Sequence, residues 1–294
     1  MKKTLLSLTL LVILSACQQP GEKKPDFTFA FMTDIHVTWD RSADQGFRQA
    51  IDSVNALKPD FVITGGDLIM DALGQTRGRA DSLFQLYDGL IKEFSMPVYH
   101  TVGNHELFAF YNREIETTDE DYNDGMYRRY LGDPWQSFDF GGWHFIILKS
   151  IEDTESRGYE GKVSDEQMDW LREDLARLDD KTPVAVSVHI PLISAHTQWR
   201  NGGLSANGRG SVITNGKEVL DLLKTKNLKL VLQGHLHCLE DYYTDGVHFI
   251  TGGAVSASWW NGPINGLEEG FMMIRVYGEE LEWEYVDYGW EAVK

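Results

Sequence analysis

From Asp26 onward, short apolar runs alternate with stretches whose apolar residues recur at helical spacing. Residues 27–32 form an aromatic run, 45–57 place Phe47, Ile51, Val54 and Leu57 on one helical face, and 61–64 return to a β-branched run. The chain therefore opens as a βαβ unit. Leu83, Tyr87, Leu90 and Phe94 predict a second helix over 81–94. A third starts at Ser164, whose hydroxyl is placed to cap the first turn while Gln167 reaches back, followed by Met168, Leu171, Leu175 and Leu178. Residues 135–140 and 143–148 flank Gly141-Gly142, a pair suited to a hairpin turn with positive φ. Later runs at 184–188, 228–232, 248–251, 271–276 and 281–286 supply a second sheet. No repeat or proline-rich linker interrupts this pattern, so residues 26–294 are expected to form one α/β domain, a four-layer αββα sandwich of two mixed sheets flanked by helices.

The first residues follow other rules. Lys2 and Lys3 precede an apolar run over 5–14 that is short for a membrane span, which predicts an export signal at 1–16. Leu14-Ser15-Ala16-Cys17 resembles the lipobox of bacterial lipoprotein precursors, which implies acylation of Cys17; the alternative is an ordinary secretory signal with an incidental cysteine. Residues 17–25, with two prolines and a glycine, read as the lipidated cysteine and its tether. Gln18-Gln19 lacks an aspartate after Cys17, and by resemblance to sorting rules this favours an exported, outer-membrane lipoprotein. Cys238 is the only other cysteine, so acylation of Cys17 leaves no intramolecular disulfide.

The formal net charge of −18 repels polyanions at long range and argues against a nucleic-acid partner. A small phosphoester drawn to bound cations is not excluded by that field. Oligomeric state is left open.

Five polar segments each follow an apolar run: Asp34-Ile35-His36, Gly66-Asp67, Gly103-Asn104-His105-Glu106, His189, and Gly234-His235-Leu236-His237. Ligands at strand ends converge in open α/β sheets, and these carry enough oxygen and imidazole donors for two adjacent metal ions. Two such ions about 3.5–4 Å apart need a bridging carboxylate. Asp67 is the natural bridge, and the chemistry such a pair serves is phosphoester hydrolysis.

In this order, the five blocks resemble the calcineurin-like metallophosphoesterase superfamily over nearly all of 26–294. The resemblance implies that Asp34, His36 and His237 bind one ion, that Asn104, His189 and His235 bind the other, and that Asp67 bridges. The ions would be divalent or mixed-valence transition metals, with manganese, iron and zinc all compatible with mixed Asp, Asn and His donors. His105 is left free to stabilise or protonate the leaving oxygen, Asn104 helps orient the phosphate, and a metal-bound hydroxide attacks. Phosphomonoesters, small phosphodiesters, and nucleotide or lipid pyrophosphates remain open as substrates. A non-catalytic metal-binding scaffold of the same fold is the alternative, although such proteins usually lose ligands or the free histidine. Met70 stands where purple acid phosphatases carry a metal-binding tyrosine, which implies no iron-tyrosinate colour. Lys149 stands where many relatives have an aspartate.

Outside the five blocks, His196, Trp199 and Arg200, together with Trp259 and Trp260, are candidates for a substrate cap. The competing reading makes the tryptophans packing residues and Arg200 a solvated cation. His100, His144 and His248 fall in strand-like runs and read as structural. Cys238 reads as a buried thiol facing away from His237 on a strand. Asp119 to Gly125 lacks the glycine and final glutamate of an EF-hand and reads as an acidic surface loop.

Overall fold

The computed structural model describes residues 24–293. The expected signal peptide, Cys17 and most of the tether lie outside the described residues. Among the described residues, no helix is long and apolar enough to cross a membrane.

In chain order the elements are β1 (Phe27–Met32), α1 (Ala43–Leu57), β2 (Phe61–Gly65), α2 (Arg77–Ile91), β3 (Val98–Thr101), α3 (Gly125–Leu131), β4 (Gln136–Phe140), β5 (Trp143–Ile147), β6 (Ile151–Asp153), β7 (Tyr159–Gly161), α4 (Asp165–Leu175), β8 (Pro183–Ser187), α5 (His196–Asn201), α6 (Gly216–Leu223), β9 (Asn227–Gln233), β10 (Glu240–Thr244), β11 (Val247–Thr251), β12 (Gly270–Tyr277) and β13 (Glu280–Asp287). Two large mixed sheets result, one in the order β13-β12-β1-β2-β3 and the other β10-β11-β9-β8-β5-β4. β1, β2 and β3 run parallel, as do β5, β8, β9 and β11. The antiparallel strands lie at the outer edges of both sheets.

Alternation along the strands separates two cores. Phe27, Phe29 and Phe31 of β1 join Phe61, Ile63, Trp143, Phe145, Leu230, Leu232 and Ile274 between the sheets. Ala30 and Met32, one residue out of phase, join Phe47, Ile51, Val54 and Phe84 beneath the helices. That split makes the predicted four layers. The Phe29 and Phe61 rings stack 5.0 Å apart, and Phe145 meets Phe61 edge-on at 5.2 Å, so aromatic packing fixes how the two sheets face each other.

Several predicted features differ from the structure. β12 and β13 complete the first sheet, with Phe27 paired to Val276, rather than joining the second. α2 starts at Arg77 instead of 81 because the Thr76 hydroxyl accepts the Arg79 amide at 3.4 Å. α4 begins as predicted: the Ser164 hydroxyl accepts the Gln167 amide and the Gln167 side chain reaches back to that hydroxyl at 3.4 Å, while the same side chain also clamps the Lys149 backbone through its N–H and C=O. The acidic segment from Asp119 is not a solvated loop: Asp121 is buried and holds Arg77 and Arg129. Gly141 and Gly142 both adopt positive φ in the expected hairpin.

Candidate metal centre

All five polar segments sit just beyond the carboxyl ends of parallel strands: Asp34 and His36 after β1, Asp67 after β2, Asn104 after β3, His189 after β8, and His235 and His237 after β9. Two sheets therefore deliver ligands to one edge of the sandwich. The sheets are tied together there by the Thr101 and Ser187 hydroxyls at 2.7 Å and by a bridge between Thr33 and Ala254. Close approach needs missing side chains. A Cβ on Gly103 would fall 2.2 Å from the Asp67 amide nitrogen, and one on Gly234 would fall 2.1 Å from the Thr33 hydroxyl.

The backbone is strained where the ligands are. Asp34, His36, Asp67, His235 and His237 all have φ between 47° and 73°, a region that non-glycine residues occupy at a cost of about 1–3 kcal/mol each. Five such residues among seven candidate ligands show that neighbouring contacts over-determine this loop geometry. For Asp67 the main contact is Glu106. Its buried carboxylate accepts the amides of Asp67 and Gly103 on one oxygen, at 3.0 and 2.7 Å, and those of Leu68 and Ile69 on the other, at 2.7 and 3.1 Å. Burial and the nearby Asp67 push the Glu106 carboxyl up to about 7, while the Ile69 and Gly103 amides pull it down.

The imidazoles are oriented by backbone carbonyls. Nδ1 of His189 donates to Gly65 at 2.8 Å, Nδ1 of His237 to Ala257 at 2.6 Å, and Nδ1 of His105 to Met70. With those protons committed, the Nε2 atoms face inward, where those of His189 and His237 can present lone pairs to a cation and that of His105 can carry a proton. The His237 Nε2 lies 3.0 Å from the His36 Nε2 and 3.3 Å from Asp34; the His189 Nε2 lies 3.2 Å from both Asp67 and the Asn104 side-chain oxygen. Nδ1 of His36 and of His235 are buried with no hydrogen-bond partner among the described residues. Acceptors facing acceptors, and orphaned ring nitrogens costing about 1–3 kcal/mol each, are relieved by cations. The donor set thus fits metal ions.

Electrostatics agree. Burial alone would raise Asp34, but the adjacent His237 outweighs it and brings the carboxyl to about 2. Asp67, against the same burial, is held well below the usual carboxylate range by His189 and His105. His189, which burial would lower, is raised to about 9 by Asp67 and Asp34, whereas burial takes His235 down to about 4. The anionic oxygens demand positive charge at this edge.

Donor atoms converge within 4.8 Å in three groups: Asp34, His36 and His237; Asp67, His189 and His235; and His36, Asp67 and His105. The first holds the three side chains expected around one ion; the second holds His189 and His235 with Asp67, and Asn104 approaches it through its side-chain oxygen, 3.2 Å from His189 Nε2. His105 is within the same reach of Asp67, at 3.9 Å, and its side chain is about a quarter exposed; His235 is also only half-buried, whereas the other ligands are buried.

The cap candidates separate. Trp259 is 38% exposed and stacks on His237 at 4.3 Å between ring centroids. Trp260 is fully buried; its Nε1 donates to the Ile35 and His36 carbonyls, and its ring covers Gly46. It supports the strained Asp34–His36 turn and is not positioned to touch substrate, which corrects its place among the cap residues. His196, Trp199 and Arg200 line a cleft that also includes His237 and Cys238. Cys238 is not on a strand, because His237 turns with φ 47°, but burial does push its thiol up to about 12. Tyr159, from the small β6–β7 hairpin, lies edge-on to His235 at 6.4 Å and was not legible from the sequence. Met70 contributes its carbonyl to His105, and Lys149 is buried against Asn123, Asp124 and Glu152. His100, His144 and His248 are hydrogen-bonded within the fold to Thr64, Asp174 and Asp241, respectively.

Known proteins give the arrangement a context. The sequence profile of the calcineurin-like phosphoesterase family matches residues 27–239. Purple acid phosphatase 22 of Arabidopsis thaliana is 26% identical over 232 residues, covering 76% of this chain and 49% of its own. A probable cyclic nucleotide phosphodiesterase of Fibrobacter succinogenes is 24% identical over 204 residues, covering 69% and 68%. The chain thus spans about half the length of the plant relative. Among solved structures, a dimetal phosphatase from Danio rerio superposes with a TM-score of 0.61 at 19% identity, covering 90% of this chain and 100% of that one. GAP50, the anchor in the inner membrane complex of Plasmodium, gives 0.54 at 15%, covering 89% and 84%. By its profile match over 27–239, this chain belongs to the calcineurin-like phosphoesterase family.

Proposed function

We propose that the chain is a dinuclear metal-dependent phosphoester hydrolase acting on a phosphomonoester or a small phosphodiester. One observation carries this reading: seven Asp, Asn and His side chains from five strand ends converge at one edge, five of them on left-handed backbone. The relatives named as a phosphatase and a cyclic nucleotide phosphodiesterase support the class of reaction. Two divalent or mixed-valence transition ions bound there supply Lewis-acid polarisation of phosphoryl oxygens and activation of water.

The chain's own residues do the rest. Asp34, His36 and His237 would hold one ion, Asn104, His189 and His235 would hold the other, and Asp67 would be available to both. Hydrolysis consumes one water, breaks the ester P–O bond and requires a proton on the departing oxygen. His105, fixed through Nδ1 to the Met70 carbonyl and partly open to solvent, delivers that proton from Nε2. Asn104 orients the phosphoryl group. Trp259, stacked on His237, walls one side against water.

The placement proposal is that residues 1–16 are removed, Cys17 is acylated, and the exported domain is anchored to the outer membrane. A Cys17→Ala chain appearing in the soluble fraction supports this; wild-type protein confined to the inner membrane overturns the outer-membrane part.

The functional test is a paired assay of 4-nitrophenyl phosphate and bis(4-nitrophenyl) phosphate with manganese, iron and zinc. Turnover of either ester that depends on added metal is expected. Protein that binds two ions and hydrolyses neither ester favours a scaffold instead.

A further inference from the structure

The cleft that begins at His237 encloses about 860 Å³, far more than a phosphoryl group fills. Three separate segments build it: α5 with Trp199 and Arg200, the turn into β10 with Leu239 and Tyr242, and the loop around Leu267. His237 belongs to both the cleft and the metal centre, so a group in the cleft is continuous with a phosphate at the ions.

The wall's polar groups are unequally engaged. Glu240 accepts from the Ser194 and Tyr242 hydroxyls at 2.8 and 2.7 Å, and Asp241 accepts from Trp283 Nε1 at 2.8 Å while pairing with His248 at 3.0 Å. Both wall carboxylates are thus occupied. Arg200 makes no hydrogen bond or ion pair with any described residue, leaving its guanidinium donors open. Beside it on the same short helix, Trp199 is 88% exposed and presents a large flat face to the solvent. A free planar cation next to a free indole complements a ligand that has both an unsaturated ring and an anion.

We propose that this cleft is the leaving-group subsite and selects esters whose leaving group carries a flat unsaturated ring and a second anion, a carboxylate or a further phosphoryl group. The ring lies against Trp199 and the anion meets Arg200. This deepens the phosphoester-hydrolase reading and rests on it.

The test compares phenyl phosphate with 3- and 4-carboxyphenyl phosphate, using wild type and Arg200→Ala. Intrinsic differences in ester reactivity cancel in the ratio between the two proteins. The variant is expected to lose about ten-fold in kcat/KM on the better carboxyphenyl ester, mainly through KM, and to stay within about two-fold on phenyl phosphate. Equal losses on both, or none on either, overturn the proposal. Calorimetric binding of benzylphosphonate and 4-carboxybenzylphosphonate to metal-loaded protein gives a readout without turnover. There Arg200→Ala is expected to erase the preference for the carboxylated ligand, and Trp199→Ala to weaken both relative to methylphosphonate. If no ester is hydrolysed, the hydrolase reading fails while these affinities still decide the subsite; a wild-type protein that binds both arylphosphonates equally refutes it.

Discussion

Replacing Glu106 by glutamine changes one oxygen to an amide nitrogen, and the structure sets what that should cost. Four backbone amides converge on the carboxylate, two per oxygen, at 2.7 to 3.1 Å, with no exposure to water. Glutamine keeps one oxygen for two amides and turns an NH2 donor toward the other two donors. At about pH 8.5, where the Glu106 carboxyl raised to about 7 is ionised, two hydrogen bonds to a charged acceptor are lost, at about 1.5–3 kcal/mol each, giving about 3–6 kcal/mol in total. That is a large part of the roughly 5–15 kcal/mol that keeps a domain folded. Three of the four amides belong to Asp67, Leu68 and Ile69 and the fourth to Gly103, so the loop that holds Asp67 at φ 52° loses its clamp along with the stability. Urea denaturation should therefore show an unfolding free energy lowered by this amount, seen as a lower midpoint with an unchanged slope, and metal titration should show weaker binding. An E106Q protein within about 1 kcal/mol of wild type and with unaltered metal affinity would refute the argument, since the lost bonds alone exceed that.

Other outcomes follow from the same contacts. Asp67→Asn is expected to lose metal and turnover together, whereas His105→Ala keeps its metal and loses turnover; elemental analysis beside an ester assay separates them. Trp260→Phe removes the donor to the Ile35 and His36 carbonyls and should lower stability by about 1–3 kcal/mol while weakening metal binding, read by denaturation and metal titration. His144 offers a pH test: burial would lower its pKa, but hydrogen bonds to Asp174 and Asp139 prevail and raise it above 6.5. A histidine raised on folding adds stability that is fully present below its unfolded pKa and is lost as pH rises through the folded value. His144→Gln should therefore destabilise more at about pH 5.5 than at about pH 9, and equal losses at both would count against the pairing.

Much of this was legible because it depends on local pattern. β1 spans 27–32 as its alternating aromatic residues predict; all seven expected ligands lie at strand ends, six of them converge in groups of donor atoms, and Asn104 lies against His189. What the sequence hid depends on distant pairing. Nothing local to 271–286 tells that its strands pair with Phe27 and neighbours rather than with β9. Glu106 belongs to a visible motif, yet its function requires knowing that Leu68 and Ile69 turn their amides toward it. Trp259 and Trp260 are adjacent with identical chemistry, and only the positive φ at both, 51° and 65°, sends one ring onto His237 and the other into the core. The cleft escaped notice as a whole because its walls come from residues near 199, 240 and 266.

The central claim is that the seven convergent side chains hold two ions required for hydrolysis. Its most direct test is to strip the purified protein with a chelator, restore manganese, iron or zinc stepwise, and follow bound metal and 4-nitrophenyl phosphate turnover together. Stripped protein is expected to show no turnover, with recovery that levels off at two bound ions per chain. Full turnover in protein shown to be metal-free would contradict it.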